Sequence, residues 1–424
     1  MNFKKTEIGQ IPEDWYLKKI GDFSKLITGN TPSKKNKDFW ADGKIEFIKP
    51  PDLQNRLIDT FSEKISDEAK EKARIVDKGA ILVSCIGNIG RVGYADHKVA
   101  FNQQINSVIP TKETDNLYLF YALQFHKTQI QNLASFTTVP IVSKSKFSEV
   151  KISLPPLPEQ KKIAAVLSAV QEAKEKTEAV IEATKTLKKS MMKHLFTYGP
   201  VSVKEADKVD VVNFEVGEIP SSWETAKIEE YYNFSRKPKN IDILANKELP
   251  FIPMEGISNN SKSCSWIKKI KSDISSGTFV FKNDLIVAKI TPSFENGKQA
   301  ILYNLPNEYG YATTEVWALH SKDESSLNEY LYEYLKLPVV RKEIAGKMEG
   351  STGRQRVSRG VISNTMFPKP TLKEQRDIVN ILDKIDSKIK STENKKQALE
   401  KLFQSLLKNL MTGKLRVNDI DIPL

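Results

Sequence analysis

The sequence predicts an α+β protein made twice over. Two globular mixed α/β regions are separated by two long antiparallel coiled-coil helices, as a pseudo-twofold internal duplication. Three observations lead there. An opening motif, Ile8-Gly9-Gln10-Ile11-Pro12-Glu13-Asp14-Trp15, returns as Val216-Gly217-Glu218-Ile219-Pro220-Ser221-Ser222-Trp223. A second motif, Leu157-Pro158-Glu159-Gln160, returns as Leu372-Lys373-Glu374-Gln375. Each second motif leads into a long stripe of apolar residues on a 3-and-4 spacing.

Residues 1–153 form the first globular region. Ile81-Leu82-Val83-Ser84-Cys85-Ile86 is β-prone and bounded by turn residues, whereas Leu117–Leu123 has a helical pattern with aromatic faces bound for a core. Residues 154–198 form the first long helix. Its seam is Ile163, Leu167, Val170, Thr177, Ile181, Thr184, Met191 and Leu195, interrupted by Lys174 and Lys188. Pro155-Pro156-Leu157-Pro158 is a stiff lead-in, and Gly199-Pro200 stops the helix. A polar linker, 199–215, follows.

Residues 216–369 repeat the globular region, with a β-prone Asp284–Ala288 and a helical Leu327–Leu335. Residues 370–415 form the second long helix, with Thr371 and Glu374 spaced as a capping box. Its seam is Ile378, Leu382, Ile385, Ile389, Thr392, Leu399, Phe403, Leu406 and Leu410, and Gly413 ends it before the tail 416–424. A narrow apolar stripe on a polar helix needs a partner stripe, so the two helices are expected to pair as a rod of about 60 Å. The alternative is that each helix packs only on its own globular region. Neither region has the alternating rhythm of a doubly wound sheet.

Composition bounds the function. The formal charge of the 424-residue chain is +12, which favours polyanionic partners because neutralised phosphates release counterions. The two cysteines, Cys85 and Cys264, cannot make a disulfide framework or a zinc site alone, which suits a reducing cytoplasm. No apolar run approaches a membrane span, and Met1–Glu7 has basic residues without the apolar stretch of a secretory signal.

Catalytic signatures are missing from the sequence. It has no phosphate-binding G-x-x-x-x-G-K-[ST] loop, no G-x-G-x-x-G and no nucleophile elbow. The histidines, His97, His126, His194 and His320, lack metal-ligand spacing. Lys49-Pro50-Pro51-Asp52 is read as a turn. Pro51-Asp52 with Glu68-Ala69-Lys70 has the residue types of a metal-dependent nuclease, but Ser66–Arg74 reads better as an exposed, charge-paired helical turn.

The duplicated layout resembles the specificity subunits of type I restriction–modification enzymes over essentially the whole chain. Ile11-Pro12 with Trp15, Ile219-Pro220 with Trp223, Leu154–Gln160 and Pro370–Gln375 carry the likeness. Gly29-Asn30-Thr31-Pro32-Ser33 with Phe39-Trp40, and Phe294-Glu295-Asn296-Gly297-Lys298, are similar to the family's recognition-domain signatures. The second half has Ser235-Arg236-Lys237-Pro238 in place of the Gly-Asn-Thr-Pro-Ser signature. The resemblance implies that each globular region reads half of a split duplex DNA target while the helices set the unread spacer. It also implies docking of two methyltransferase subunits, which would carry S-adenosylmethionine, and of motor-nuclease subunits that use ATP. This chain would itself need no cofactor.

Base reading favours Arg on guanine and Asn or Gln on adenine, and phosphates attract Lys and Arg. On turn-rich segments the candidates are Lys34, Lys35, Lys37, Arg91, Asn102, Gln103 and Gln104 in the first half. In the second they are Lys289, Asn296, Lys298, Arg354, Gln355, Arg356 and Arg359. The glycine-punctuated Gly350–Gly360 stretch, with three arginines, is the strongest of these. The rival to DNA reading is a coiled-coil interaction scaffold that does not bind DNA.

Overall fold

A computed structural model describes residues 2–135, 138–239, 241, 243–351 and 353–417. Contacts divide the chain into two compact units. One joins the residues up to Val180 with those from Thr392 onward, and the other is Ile181–Ser391. The long helices are Leu157–Tyr198 and Leu372–Met411, so each unit contains the start of one and the end of the other.

The first unit opens with a hairpin, Phe3–Thr6 against Gly9–Pro12. Two sheets follow. The five-stranded one runs Ser24–Thr28, Ile105–Pro110, Ile81–Ser84, Val92–Tyr94, Arg56–Leu57. The four-stranded one runs Glu63–Ile65, Ile45–Ile48, Val99–Phe101, Ile75–Val76. The predicted helix forms over Asn116–Phe125, with Asp115 as its N-cap. Tyr118, Leu119 and Phe120 on that helix, Ile163 and Leu167 of the first long helix, and Phe403, Leu407 and Leu410 of the second share one core.

The second unit repeats the plan. A hairpin pairs Val211–Phe214 with Gly217–Pro220. The central sheet runs Tyr232–Phe234, Val316–Ser321, Leu285–Ala288, Gln299–Ile301, and a second sheet runs Ile267–Ile270, Glu248–Ile252, Tyr309–Ala312, Thr278–Phe281. Tyr330, Leu331 and Tyr334 on the helix Asn328–Lys336 pack with Met192, Leu195, Ile378 and Leu382 of the long helices.

Within each unit the helices pair, so the alternative that each packs only on its own globular region does not hold. The helix stretches pair with one another, and their ends also enter the globular core. In the first unit the pairing is antiparallel: Lys174 Nζ meets Glu400 at 2.5 Å and Lys396 Nζ meets Glu178 at 2.6 Å. In the second unit Lys188 Nζ meets Asp386 at 2.6 Å. The two lysines that interrupt the seam are thus its ion-pair positions. Lys174 also lies 4.6 Å from the Phe403 ring centroid, its stem covering apolar surface.

The two sequence motifs meet in space, and they do so twice. Trp15 Nε1 donates to Glu159 at 3.1 Å, and Trp223 Nε1 donates to Glu374 at 3.0 Å. Gln160 accepts from Asp115 N at 2.9 Å and donates to Pro155 O at 2.9 Å. Gln375 accepts from Leu327 N at 3.0 Å and donates to Pro370 O at 3.0 Å. Tyr118 and Tyr330 donate to Ser153 O and Pro368 O. One Glu-Gln pair therefore ties the opening motif, the domain helix and the long helix together. The Thr371–Glu374 capping box forms as expected.

Two buried charges have consequences. Glu333 is fully buried, and Lys262 Nζ lies 2.7 Å from it while also contacting Asp383 of the second long helix. Burial alone would lower the Lys262 pKa, but the two carboxylates outweigh it and raise it. Lys262→Met would leave Glu333 unpaired and should cost about 3–5 kcal/mol of stability. Urea denaturation measures this, and a loss below about 1 kcal/mol would show that the pair is dispensable.

Asp284 is also buried, accepting from Ser235 Oγ at 2.5 Å and from Phe281 N at 2.8 Å. Its other oxygen is unpartnered, and burial pushes its pKa up to about 7. A carboxyl whose folded pKa is raised loses its stabilising contribution as pH rises from the unfolded value through the folded one. Between pH 4 and 8 the wild type should therefore lose up to about 4 kcal/mol relative to Asp284→Asn. Parallel denaturation curves across that range would refute this.

Candidate nucleic-acid interface

Loops with predicted contact residues meet past the C-terminal end of an interior strand in each unit, Ile81–Ser84 in the first and Leu285–Ala288 in the second. In the first unit, strand Ile81–Ser84 ends and a loop begins that carries Arg91. Arg91 N donates to Ser84 Oγ at 2.9 Å, and the Asn88 amide oxygen, turned toward Arg91, lies 2.9 Å from Nε and Nη2. Cys85 N donates to Gln104 O at 2.8 Å, which sets the 102–104 turn beside this loop. A third segment closes on them: Ile86 bridges Ile141, and Gly87 N donates to Pro140 O at 3.0 Å.

The second unit reproduces this arrangement with different side chains. Ile290 bridges Arg356, Thr291 N donates to Gln355 O at 3.0 Å, and Val357 N donates to Lys289 O at 2.8 Å. The arginine-rich loop is thus pinned to the end of strand Leu285–Ala288 by main-chain bonds while Arg354, Arg356 and Arg359 remain exposed. Gly350 has φ +127°, and a Cβ there would come within 2.7 Å of Arg354 O, so the loop's turn requires glycine.

The environments of the basic groups differ. Lys289 is half-buried, 4.1 Å from the Trp317 ring centroid. Desolvation, reinforced by Arg356, lowers its pKa. Arg359 stacks 4.4 Å from the Phe234 ring at the start of helix Arg359–Asn364. Lys34 lies 3.2 Å over Trp40 and pairs with Glu63, whereas Lys35 and Lys37 are exposed beside it. Thr31 donates to Gln103 at 2.6 Å, which joins the Gly29–Ser33 segment to the 102–104 turn.

Three candidates have other tasks in this geometry. Asn102 is 9% exposed, and its amide closes the turn on Gln104 N at 3.0 Å, so it shapes the loop. Lys298 donates to Met254 O at 3.0 Å, and Gln355 is half-buried with its backbone engaged. Asn296 and Gln103 are exposed and Gln104 is half-buried. The Asp52 carboxylate accepts from Lys49 N at 2.8 Å and closes the expected turn.

Sequence reasoning missed residues that the duplication reveals. Ser143 N-caps helix Lys144–Ser148 as Ser358 caps Arg359–Asn364, so exposed Lys144 and Lys146 stand where the second unit has Arg359 and Val361. Glu315 holds the place of Gln104, because Lys289 N donates to Glu315 O at 2.9 Å. Aligning Ser143 with Ser358 through the shared Glu-Gln pairs, Glu159-Gln160 and Glu374-Gln375, would have exposed the lysines. Glu315 has only its register as a signal.

Comparison with known proteins gives one family. Residues 12–183 and 220–401 match the family described as the type I restriction modification DNA specificity domain. The MjaVIII specificity subunit of a type I restriction enzyme from Methanocaldococcus jannaschii is 28% identical over 99% of this chain and 97% of its own length. The EcoAI specificity subunit from Escherichia coli is 36% identical over 38% of this chain and 28% of its own. The crystal structure of a type I restriction–modification S subunit from M. genitalium shares the fold, with TM-score 0.59 at 19% identity over 97% of this chain and 99% of that one.

The exposed arginines should act through charge. Replacing Arg354, Arg356 and Arg359 together by alanine should flatten the salt dependence of duplex binding, by about 0.9 in log–log slope for each phosphate no longer neutralised. Filter binding across a salt series checks this, and an unchanged slope would remove the loop from the interface.

Proposed function

The chain belongs to the type I restriction–modification DNA specificity family, and from that membership we propose how its parts serve sequence choice. The regions 1–153 and 216–369 act as target-recognition domains, each reading one half of a split duplex DNA site. The long helices, 154–198 and 370–415, fix the unread spacer. The linker 199–215 joins the halves, and the tail 416–424 comes after the second helix in sequence, with 418–424 outside the described residues. The chain carries no catalytic group of its own. Methylation belongs to two docked methyltransferase subunits and cleavage to motor-nuclease subunits, all in the cytoplasm.

One observation supports this most. The same frame occurs twice and presents different polar side chains past the end of the equivalent interior strand: Arg91, Gln103 and Gln104 in one unit, Lys289, Glu315 and Arg356 in the other. Two frames with unlike readers suit a target with two unlike halves. Within this reading the phosphate contacts come from Lys34, Lys35, Lys37, Lys144, Arg354 and Arg359. A scaffold that does not bind DNA gives no reason for arginines held outward on pinned, glycine-turned loops. Among the described residues, no helix is long and apolar enough to cross a membrane.

The test is to co-express the chain with its methyltransferase subunit and read adenine methylation along the genome. A split motif methylated on both strands is expected. Assembly of the complex with no new methylation would overturn the reading. The spacer has its own test. Inserting one heptad into both long helices adds about 10 Å, or about three base pairs at ~3.4 Å each. The unread gap should lengthen while both half-sites stay the same, and altered half-sites would refute the ruler.

A further inference from the structure

The two units differ at one place where their frames otherwise agree. In the first unit the chain leaves the second long helix through Gly413, at φ +65°, with Trp15 Cζ2 3.4 Å from where its Cβ would be. Three residues later Arg416 turns back into the unit. Its Nε donates to Glu159 Oε1 at 2.6 Å, and its Nη2 donates to Asp14 at 2.7 Å and to Glu159 Oε2 at 2.9 Å. The guanidinium lies 5.8 Å from the Trp15 ring centroid. A guanidinium therefore completes the Trp–Glu latch and neutralises a carboxylate that is 2% exposed.

In the second unit the chain leaves the first long helix through Gly199, at φ +78°, with Trp223 Cζ2 again at 3.4 Å. Three residues later the sequence has Ser202 in place of arginine, and Ser222 stands in place of Asp14. At the corresponding spot there is a cavity of about 340 Å³, lined among others by Trp223, Glu374, Asp377, Ser222, Tyr198 and Lys373. Thr371 donates to Glu374 Oε2, and Trp223 Nε1 takes up one lone pair of Oε1, leaving the other for an incoming donor. A second acid, Asp377, lines the cavity at a position where the first unit has Lys162. Two carboxylates and an indole line this cavity, as two carboxylates and an indole surround Arg416 in the first unit, and Lys373 lies on its wall where the first unit has Pro158.

We propose that this cavity is a docking seat for an arginine side chain of the methyltransferase subunit, taking from a partner what the first unit takes from its own Arg416. The inference rests on the proposed assembly with that subunit. The occupant is peptide-borne because the equivalent seat is filled from a polypeptide segment. It is a guanidinium because a planar fork satisfies a carboxylate and an indole face together, which a lysine ammonium does not. The seats are unequal: the chain closes one and offers the other.

The experiment uses the full chain labelled at the indole nitrogens of its five tryptophans. The signals of Trp15 and Trp223 are assigned from Trp15→Phe and Trp223→Phe. Nα-acetyl-arginine amide is titrated in, with the neutral citrulline analogue as control. A saturable shift of the Trp223 indole is expected with arginine, with affinity at least about tenfold weaker for citrulline. Trp15, whose seat Arg416 already fills, should not respond. S202R should fill the second seat from within, abolish the Trp223 response and weaken capture of the methyltransferase subunit, with the chain's melting temperature preserved. Ser222→Trp, which fills the cavity from another side, should weaken that capture equally. Equal response to citrulline, or no response at Trp223, would overturn the seat. Wild-type capture by both filled variants would overturn the partner. A split methylation motif surviving either failure would leave the DNA-reading function standing.

Discussion

The bond between a buried indole and a helix-start glutamate is the constraint on which each unit depends. A Trp N–H removed from water must find an acceptor, and a carboxylate near the first turn of a helix is favoured by the unpaired amides there. Glu159 and Glu374 meet both demands. The neighbouring glutamine then spends its amide on backbone groups outside the helix, two for Gln160 and three for Gln375, so a two-residue motif fixes three segments at once. Buried polar networks of this kind are costly when partly satisfied and specifying when complete. This explains why opening motif and helix motif occur together, far apart in sequence, in both halves.

The frame carries stability, which leaves the strand-end loops free to differ. Main-chain bonds such as Gly87 N to Pro140 O and Thr291 N to Gln355 O pin the loops without using their side chains. Exchanging Ile141 for Arg356, or Gln104 for Glu315, therefore leaves the bridge intact while changing what faces outward. Affinity and specificity separate along the same line. In the proposed reading, exposed lysines and arginines supply a sequence-independent attraction and the residues on pinned turns supply discrimination.

Much of this was legible in the sequence. The duplication, both long helices, the strands at Ile81–Ser84 and Leu285–Ala288 and the helices after Asp115 and Leu327 follow from motif spacing and periodicity. The seam-breaking Lys174 and Lys188 were visible but not interpretable, because their partners Glu400 and Asp386 lie some two hundred residues away. The site was less legible for the same reason. Asn102 has the composition of a base reader, yet tertiary contacts bury it in a turn. Lys144 has no glycine-rich neighbourhood to advertise it and is found only by its position after Ser143. Composition reports which residues could touch DNA, whereas register decides which ones are presented.

The buried charges show where a duplicated frame must be finished individually. Glu159 is almost fully buried beside Trp15, and a carboxylate there without a cation would carry a desolvation cost of several kcal/mol. Arg416 offsets it, held charged by Asp14 first and Glu159 second. Glu374 is half-buried and satisfied by Thr371 as well as Trp223, so the second unit folds without a guanidinium. The first unit thus needs its cation to be stable and supplies it in cis. The second does not need one, and its acids stay available for an intermolecular contact. The same latch therefore works as a closed structural joint in one half and an open one in the other, with the difference set by the substitutions at Asp14/Ser222 and Arg416/Ser202.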